Sequence, residues 1–227
     1  NITIPELKNN RRRFTITQKH TPIAPEGSSG ITNIWIPLPE DTVFQRLVSL
    51  SVEGNFDDSN INANNDFGVK TLYATWKPDA KDPSITVTME VETLDWEIDA
   101  QGLLDQYKAP EVLHYPKEVA IYLEPSEQIT IDGIVKETTD KIVGTETNPL
   151  EKARLIHQWV SANMKRNNDV IGCGTGNVKA ILESGNLSGK CTDINSVFVA
   201  LARAAGIPAR EMFGIRVGKS NKLDQYS

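Results

Sequence analysis

The chain has 227 residues, 39% of them hydrophobic and 24% charged, an ordinary composition for a folded globular protein with room for one large or two ordinary domains. Its net charge of −6 and single basic run, Arg11 to Arg13, argue against a general nucleic-acid binder, which needs clustered Lys and Arg to neutralise phosphates. No apolar run approaches the roughly 18 residues of a membrane span. Asn1 in place of Met leads us to expect processing, with a periplasmic or secreted location favoured and the cytoplasm as the alternative.

The first hundred residues alternate apolar and polar in short runs, the period of strands with one buried face. Phe14 and Ile16; Ile34, Ile36 and Leu38; Val48, Leu50 and Val52; Leu72, Ala74 and Trp76; and Ile85, Val87, Met89 and Val91 form five such faces. Turn clusters at 22–30 and 57–68 complete the expectation of an antiparallel β-sandwich over residues 1–97. Arg11 to Arg13 then reads as a solvated strand edge rather than a phosphate site. Asp58, Asn60, Asn62, Asn64 and Asp66 alternate oxygen ligands as calcium loops do. Ala63 stands where the sharp turn needs glycine, and Val69 where a bidentate glutamate is needed, so a solvated loop is expected there.

Residues 98–125, with Pro110, Pro116 and Pro125, read as a connector, and beyond it the period becomes helical. Ile131, Ile134, Val135, Thr138 and Ile142 share a face that stops at Gly144. Asn148, Pro149 and Glu151 form a start signal for a helix reaching about Lys165, with Ala153, Ile156, His157, Val160 and Met164 on its buried side. Asn177 caps a short helix carrying Val178, Ile181 and Leu182 and ended at Gly185. A further helix opens near Cys191, buries Ile194, Val197, Phe198, Leu201, Ala202 and Ala205, and is stopped by Gly206, Ile207 and Pro208. Arg210 to Val217 reads as a strand. Strands followed by helices make the chain α+β.

Cys191 sits in the first turn of its helix or just before it, where unpaired N–H groups and the helix dipole favour a thiolate. Gly189 leaves room for a substrate backbone, and Lys190 adds positive charge beside the sulfur. The competing reading, a small buried apolar residue, is opposed by the flanks Gly189, Lys190, Thr192 and Asp193. Asp193 reads as a first-turn carboxylate complementing the dipole, without a catalytic role. His157 reads as a packed histidine, and Gly172 to Gly176 as a tight turn bordering the cysteine, with Cys173 along it. Two cysteines without a neighbouring histidine suit neither zinc nor a Cys-x-x-Cys pair, so two free thiols are expected, with no metal and no cofactor.

The segment "SGKCTDINSVFVALARAAGIPAREMFGIRVG", with "NPLEKARLIHQWVSANMKR" and "GCGTGNVKAILESGNLSGKC" before it, resembles the transglutaminase-like superfamily over roughly residues 125 to 218. It is similar to the bacterial members described as cysteine proteases. The resemblance implies a papain-like core with a Cys, His, Asp triad in that chain order and Cys191 as the matching nucleophile. In the family the histidine and aspartate lie on strands after the cysteine helix, whereas His20, His114 and His157 all precede Cys191. Residues 126–227 are therefore expected to be the helical half of such a core, cut before its final strands and inactive alone, with an exposed apolar patch or partner contact near Cys191. The implied function is cysteine-dependent acyl transfer on protein or peptide amides through a thioester, with hydrolysis favoured over cross-linking. A non-catalytic protein-binding module on the same scaffold is the alternative.

Overall fold

The computed structural model describes residues 7–23, 27, 29–97, 99–108, 113–215 and 217, which form two compact units, residues 1–103 and 104–227. Pro110 and the polar stretch 219–227 lie outside the described residues.

The first unit holds β1 (Leu7–His20), β2 (Thr32–Pro37), β3 (Gln45–Gly54), β4 (Asp58–Asn62), β5 (Thr71–Trp76) and β6 (Ile85–Trp96). They make two antiparallel three-stranded sheets, ordered β1-β6-β3 and β2-β5-β4. One core joins the sheets: Ile36, Leu72, Ala74 and Trp76 from one, and Ile85, Val87, Met89 and Val91 from the other. The expected sandwich is therefore present, because inward positions alternate along each strand and meet between the layers. Trp76 is fully buried, and its Nε1 donates to Asn55 Oδ1 at 3.0 Å, so its polar edge is satisfied within the apolar layer.

Two expectations fail in instructive ways. The alternation puts Val48 on the inner face with Leu50 and Val52, but the register of β3 against β6 shifts between Leu47 and Ser49. That bulge turns Val48 outward, and Leu47 packs on the core in its place. Residues 58–62, expected within a loop, form β4, and the alternation that suggests calcium ligands is the period of a strand with Asp58, Asn60 and Asn62 on one face.

Nor is the basic run simply solvated. On β6, Glu92 has a side chain only 7% exposed, and it takes Arg46 at 3.1 Å, Arg13 at 3.2 Å and Arg11 at 3.5 Å. Arg12 faces the other way, over the Phe14 ring at 5.2 Å. Burial alone pushes the Glu92 carboxyl up, but the Arg13 hydrogen bond and the charges of Arg11, Arg46 and Arg13 outweigh it and hold the group below its usual range. A carboxyl depressed on folding stabilises the fold above its unfolded pKa of about 4.3, and that contribution is lost as the pH falls through the lower folded value. Glu92→Gln should accordingly lower the melting temperature at pH 7 and flatten its decline below about pH 4.3. A thermal melt series across that range checks this, and an unchanged acid slope would contradict it.

The second unit begins its described part with α1 (Ala100–Gln106), whose last residues belong to it, then α2 (Lys117–Ala120) and a 3-10 turn at Ile121–Leu123. Helices α3 (Ile134–Val143), α4 (Pro149–Asn163), α5 (Val178–Ser184) and α6 (Cys191–Ala204) follow, with two-residue strands β7 (Lys165–Arg166) and β8 (Ser188–Gly189) paired in parallel. Asn148 caps α4 by accepting from the backbone N–H of Leu150 at 2.9 Å, as its sequence predicts. The reciprocal arm differs: Glu146, not Glu151, accepts from Asn148 N, and Glu151 pairs with Arg154 instead. On α3 the buried polar residue is Thr139 rather than Thr138, its hydroxyl donating to Val135 O at 2.8 Å.

Val197, Val199, Ala200 and Leu201 of α6 form the centre of this unit's core, against Val135, Ile156, Val160, Val178 and Leu182. The sequence stripe leaves out Val199 and Ala200, which are buried because helices cover α6 on more than one side. The helix ends as read: Gly206, at φ 82°, donates to Arg203 O and Ile207 donates to Ala202 O, both at 2.9 Å. Arg210 to Val217 is not a strand over its described residues. Glu211 bonds the buried Ser196 hydroxyl and Arg210 lies over the Tyr122 ring, so side-chain anchors replace a ladder, and Met212, Phe213 and Ile215 are left exposed. Among the described residues no helix is long and apolar enough to cross a membrane.

Candidate functional site

Cys191 is the first residue of α6, and both it and Cys173 are exposed free thiols. The chain reaches this position from β8, which is held beside the end of α4 by Lys165 N to Leu187 O at 2.9 Å and Asn167 N to Gly189 O at 2.8 Å. Anchors on both sides of the cysteine therefore fix the start of the helix.

Asp193, two residues on, does more than complement a dipole. It is only 5% exposed, and its carboxylate accepts three backbone N–H groups: Thr175 at 2.9 Å, Gly176 at 3.0 Å and Lys190 at 2.9 Å. The last is one arm of a helix cap; the other two fasten the Gly-rich turn 172–176 to the start of α6. Thr192 N completes the joint by donating to Cys173 O at 3.1 Å. A Cβ on Gly174 would stand 2.1 Å from Asp193 Oδ2, and one on Gly189 2.5 Å from Asp193 Cβ, so both glycines are required by close approach. Gly174 also has φ 96°, a conformation that side chains resist. The turn thus borders the cysteine as expected, and the residue that sets it there is one whose role the sequence reading misses. A carboxylate two residues after a candidate nucleophile, with a Gly-rich turn upstream, is the available signal.

The histidines do not gather here. His157 is expected to pack on α4, yet it is exposed, because the buried positions are Ile156, Val160 and the following Met164, and His157 lies about 100° round the helix from Ile156. His114 is exposed, and His20 on β1 contacts Gln18 at 3.1 Å. None of the three is hydrogen-bonded to Cys191 among the described residues. The carbonyl of Cys191 accepts from Asn195 Nδ2 at 2.7 Å, and its N–H has no protein acceptor among the described residues. Among them, too, no cluster of three His, Cys, Asp or Glu is placed to hold a metal ion.

Comparison with known proteins finds a family match over the part of the chain that carries this arrangement. Residues 136–226 fit the sequence profile of the transglutaminase-like superfamily. This part of the chain belongs to the transglutaminase-like superfamily. The transglutaminase-like unit and its sandwich together are 49% identical over 227 residues to an uncharacterized protein of Haemophilus influenzae, covering 100% of this chain and 62% of that protein. The chain thus spans less than two thirds of that relative's length. Among solved structures, a protein from Cytophaga hutchinsonii described as a putative cysteine protease aligns with a TM-score of 0.63 over 87% of this chain and 64% of its own, at 18% identity. That likeness bears on the fold.

Proposed function

We propose that the transglutaminase-like unit belongs to a cysteine-dependent acyl-transfer enzyme, with Cys191 as the nucleophile. The observation that carries this reading is the exposed thiol at the first position of a rigidly held, buried helix. There the positive end of the helix dipole lies beside the reacting centre. The thiolate attacks an amide carbonyl, and the carbonyl oxygen gains the negative charge. The Cys191 N–H, without a protein acceptor among the described residues, is a donor for that oxyanion. Collapse expels the amine, which takes a proton from a general acid, and leaves a thioester on Cys191. Water then gives hydrolysis, the favoured outcome, and a second amine gives cross-linking. A protein or peptide chain is the substrate class that the superfamily likeness implies; the space expected beside Gly189 is taken by Asp193, which with Ser196 fills the open sides of Gly174, Gly176 and Gly189.

A non-catalytic binding role on the same scaffold is the second reading, and the absence of any histidine bonded to Cys191 among the described residues is what favours it. Differential alkylation separates the two at the level of the thiol. With limiting iodoacetamide near neutral pH and peptide mass mapping, Cys191 should be modified ahead of Cys173, although both are exposed. Equal or faster labelling of Cys173 would leave Cys191 with no sign of activation.

A further inference from the structure

The outer face of the sheet β2-β5-β4 carries a set of side chains that the sandwich does not need for its own packing. Strand register places Trp35, Tyr73 and Asn60 directly across from one another, with Thr71 and Asn62 in the next row and Asn33 beside Tyr73. Trp35 is 62% exposed, and its ring meets Tyr73 at 5.4 Å between centroids and 48° between planes. The Tyr73 hydroxyl donates to Asn33 Oδ1 at 2.8 Å, which fixes that ring in place. Trp35, Asn60, Asn62, Asn65, Thr71 and Tyr73 line a concavity of about 360 Å³, within the range of small-ligand sites.

The lining chemistry selects the ligand. None of the six residues is charged, so phosphates and carboxylates find no counter-ion in the lining. Asn65 is spent on its own loop, accepting from Phe67 N and Val69 N and donating to Val69 O, and it therefore serves as a rigid wall. Asn62 Oδ1 accepts from Asn64 N, but Asn60 has no side-chain hydrogen bond among the described residues. Its amide can donate and accept at once, as neighbouring hydroxyls require. A large aromatic face beside such amides fits a ligand with an apolar C–H face and a rim of hydroxyls. A cross-strand aromatic pair stabilises a sheet by itself, yet that accounts for neither the unbonded amide aligned with it nor the hollow between them.

We infer that this face of the first unit binds a neutral oligosaccharide, with a pyranose ring stacked on Trp35 and Tyr73 and its hydroxyls bonded by Asn60 and Asn62. The inference stands apart from the role of Cys191. It is tested by calorimetric titration of the protein with cellohexaose and with chitohexaose, neutral chains without and with acetamido groups. At least one should bind saturably. Trp35→Ala should weaken that binding about tenfold or more, as truncating a tryptophan at an interface commonly does. Asn60→Ala should weaken it severalfold, and since Asn60 is an exposed edge-strand residue, the variant's melting temperature should match the parent's. Binding of neither sugar at millimolar concentration, or binding indifferent to both substitutions, would overturn the assignment. So would Trp35-dependent capture of a decaproline peptide with no sugar bound, which would make the face a peptide surface.

Discussion

Replacing Cys191 by alanine is expected to abolish any acyl-transfer turnover, lowering kcat/KM by roughly 10⁴-fold or more, as loss of a covalent nucleophile does. The same substitution should leave stability nearly untouched. The sulfur is exposed and the packing of α6 rests on Val197, Val199, Ala200 and Leu201. A surface change of this kind ordinarily stays within about 0.5 kcal/mol. Peptide hydrolysis and amine incorporation measured on the same samples, beside a thermal melt, make the check. Residual Cys191-independent turnover near the parent rate would move the chemistry elsewhere in the molecule. His157, exposed on α4, would then be the first residue to revisit.

Asp193→Ala should produce the opposite pattern, a large loss of stability together with loss of thiol reactivity. Its carboxylate accepts from the N–H groups of Thr175, Gly176 and Lys190, and alanine would strand all three near a buried site. Unsatisfied buried donors cost roughly 1–3 kcal/mol each, partly recovered where water enters, so a net loss of about 3–5 kcal/mol is expected. An asparagine in place of the acid keeps one acceptor oxygen but turns an N–H₂ towards a backbone N–H, so Asp193→Asn should fall between the parent and Asp193→Ala. Denaturant melts measure the stability, and the alkylation rate of Cys191 in the folded variant reports whether the turn 172–176 still borders it. A variant as stable as the parent would show that the carboxylate does not anchor the turn.

The cores of both units are legible in the sequence because their signals are repeated and redundant. Ile85, Val87, Met89 and Val91 recur with a period of two, and Asn148, Pro149, Asn177 and Gly206 mark helix ends by local chemistry alone. What escapes is set by partners distant in sequence. Asn60 and Asn62 disfavour strands intrinsically, but pairing with Tyr73 and Thr71 on β5 overrides that preference. Val48 turns outward because of a register shift that no local pattern announces. The burial of Asp193 depends on glycines, one of which lies in a turn well upstream, and the exposure of His157 depends on which side of α4 its neighbours cover. The nucleophile candidate is readable from its helix, whereas the role of Asp193 in holding the surroundings together follows only once the fold brings the turn 172–176 onto its carboxylate.

The order in which the chain leaves the ribosome bears on the first sheet. β1, made before the other five strands of its unit, pairs along its length with β6, so Leu7 meets Trp96 and His20 meets Ile85. Until synthesis has passed residue 96, both edges of β1 are open and its inner face, including Ile16, lacks part of its layer. Closing so long a loop comes before any pairing energy is gained, which makes sandwiches of this kind slow to fold, on a scale of milliseconds to seconds, and open to misassociation meanwhile. Three consecutive arginines on that waiting strand carry like charge on both of its faces, an arrangement that discourages edge-to-edge pairing between nascent copies until Glu92 arrives to pair with Arg11 and Arg13.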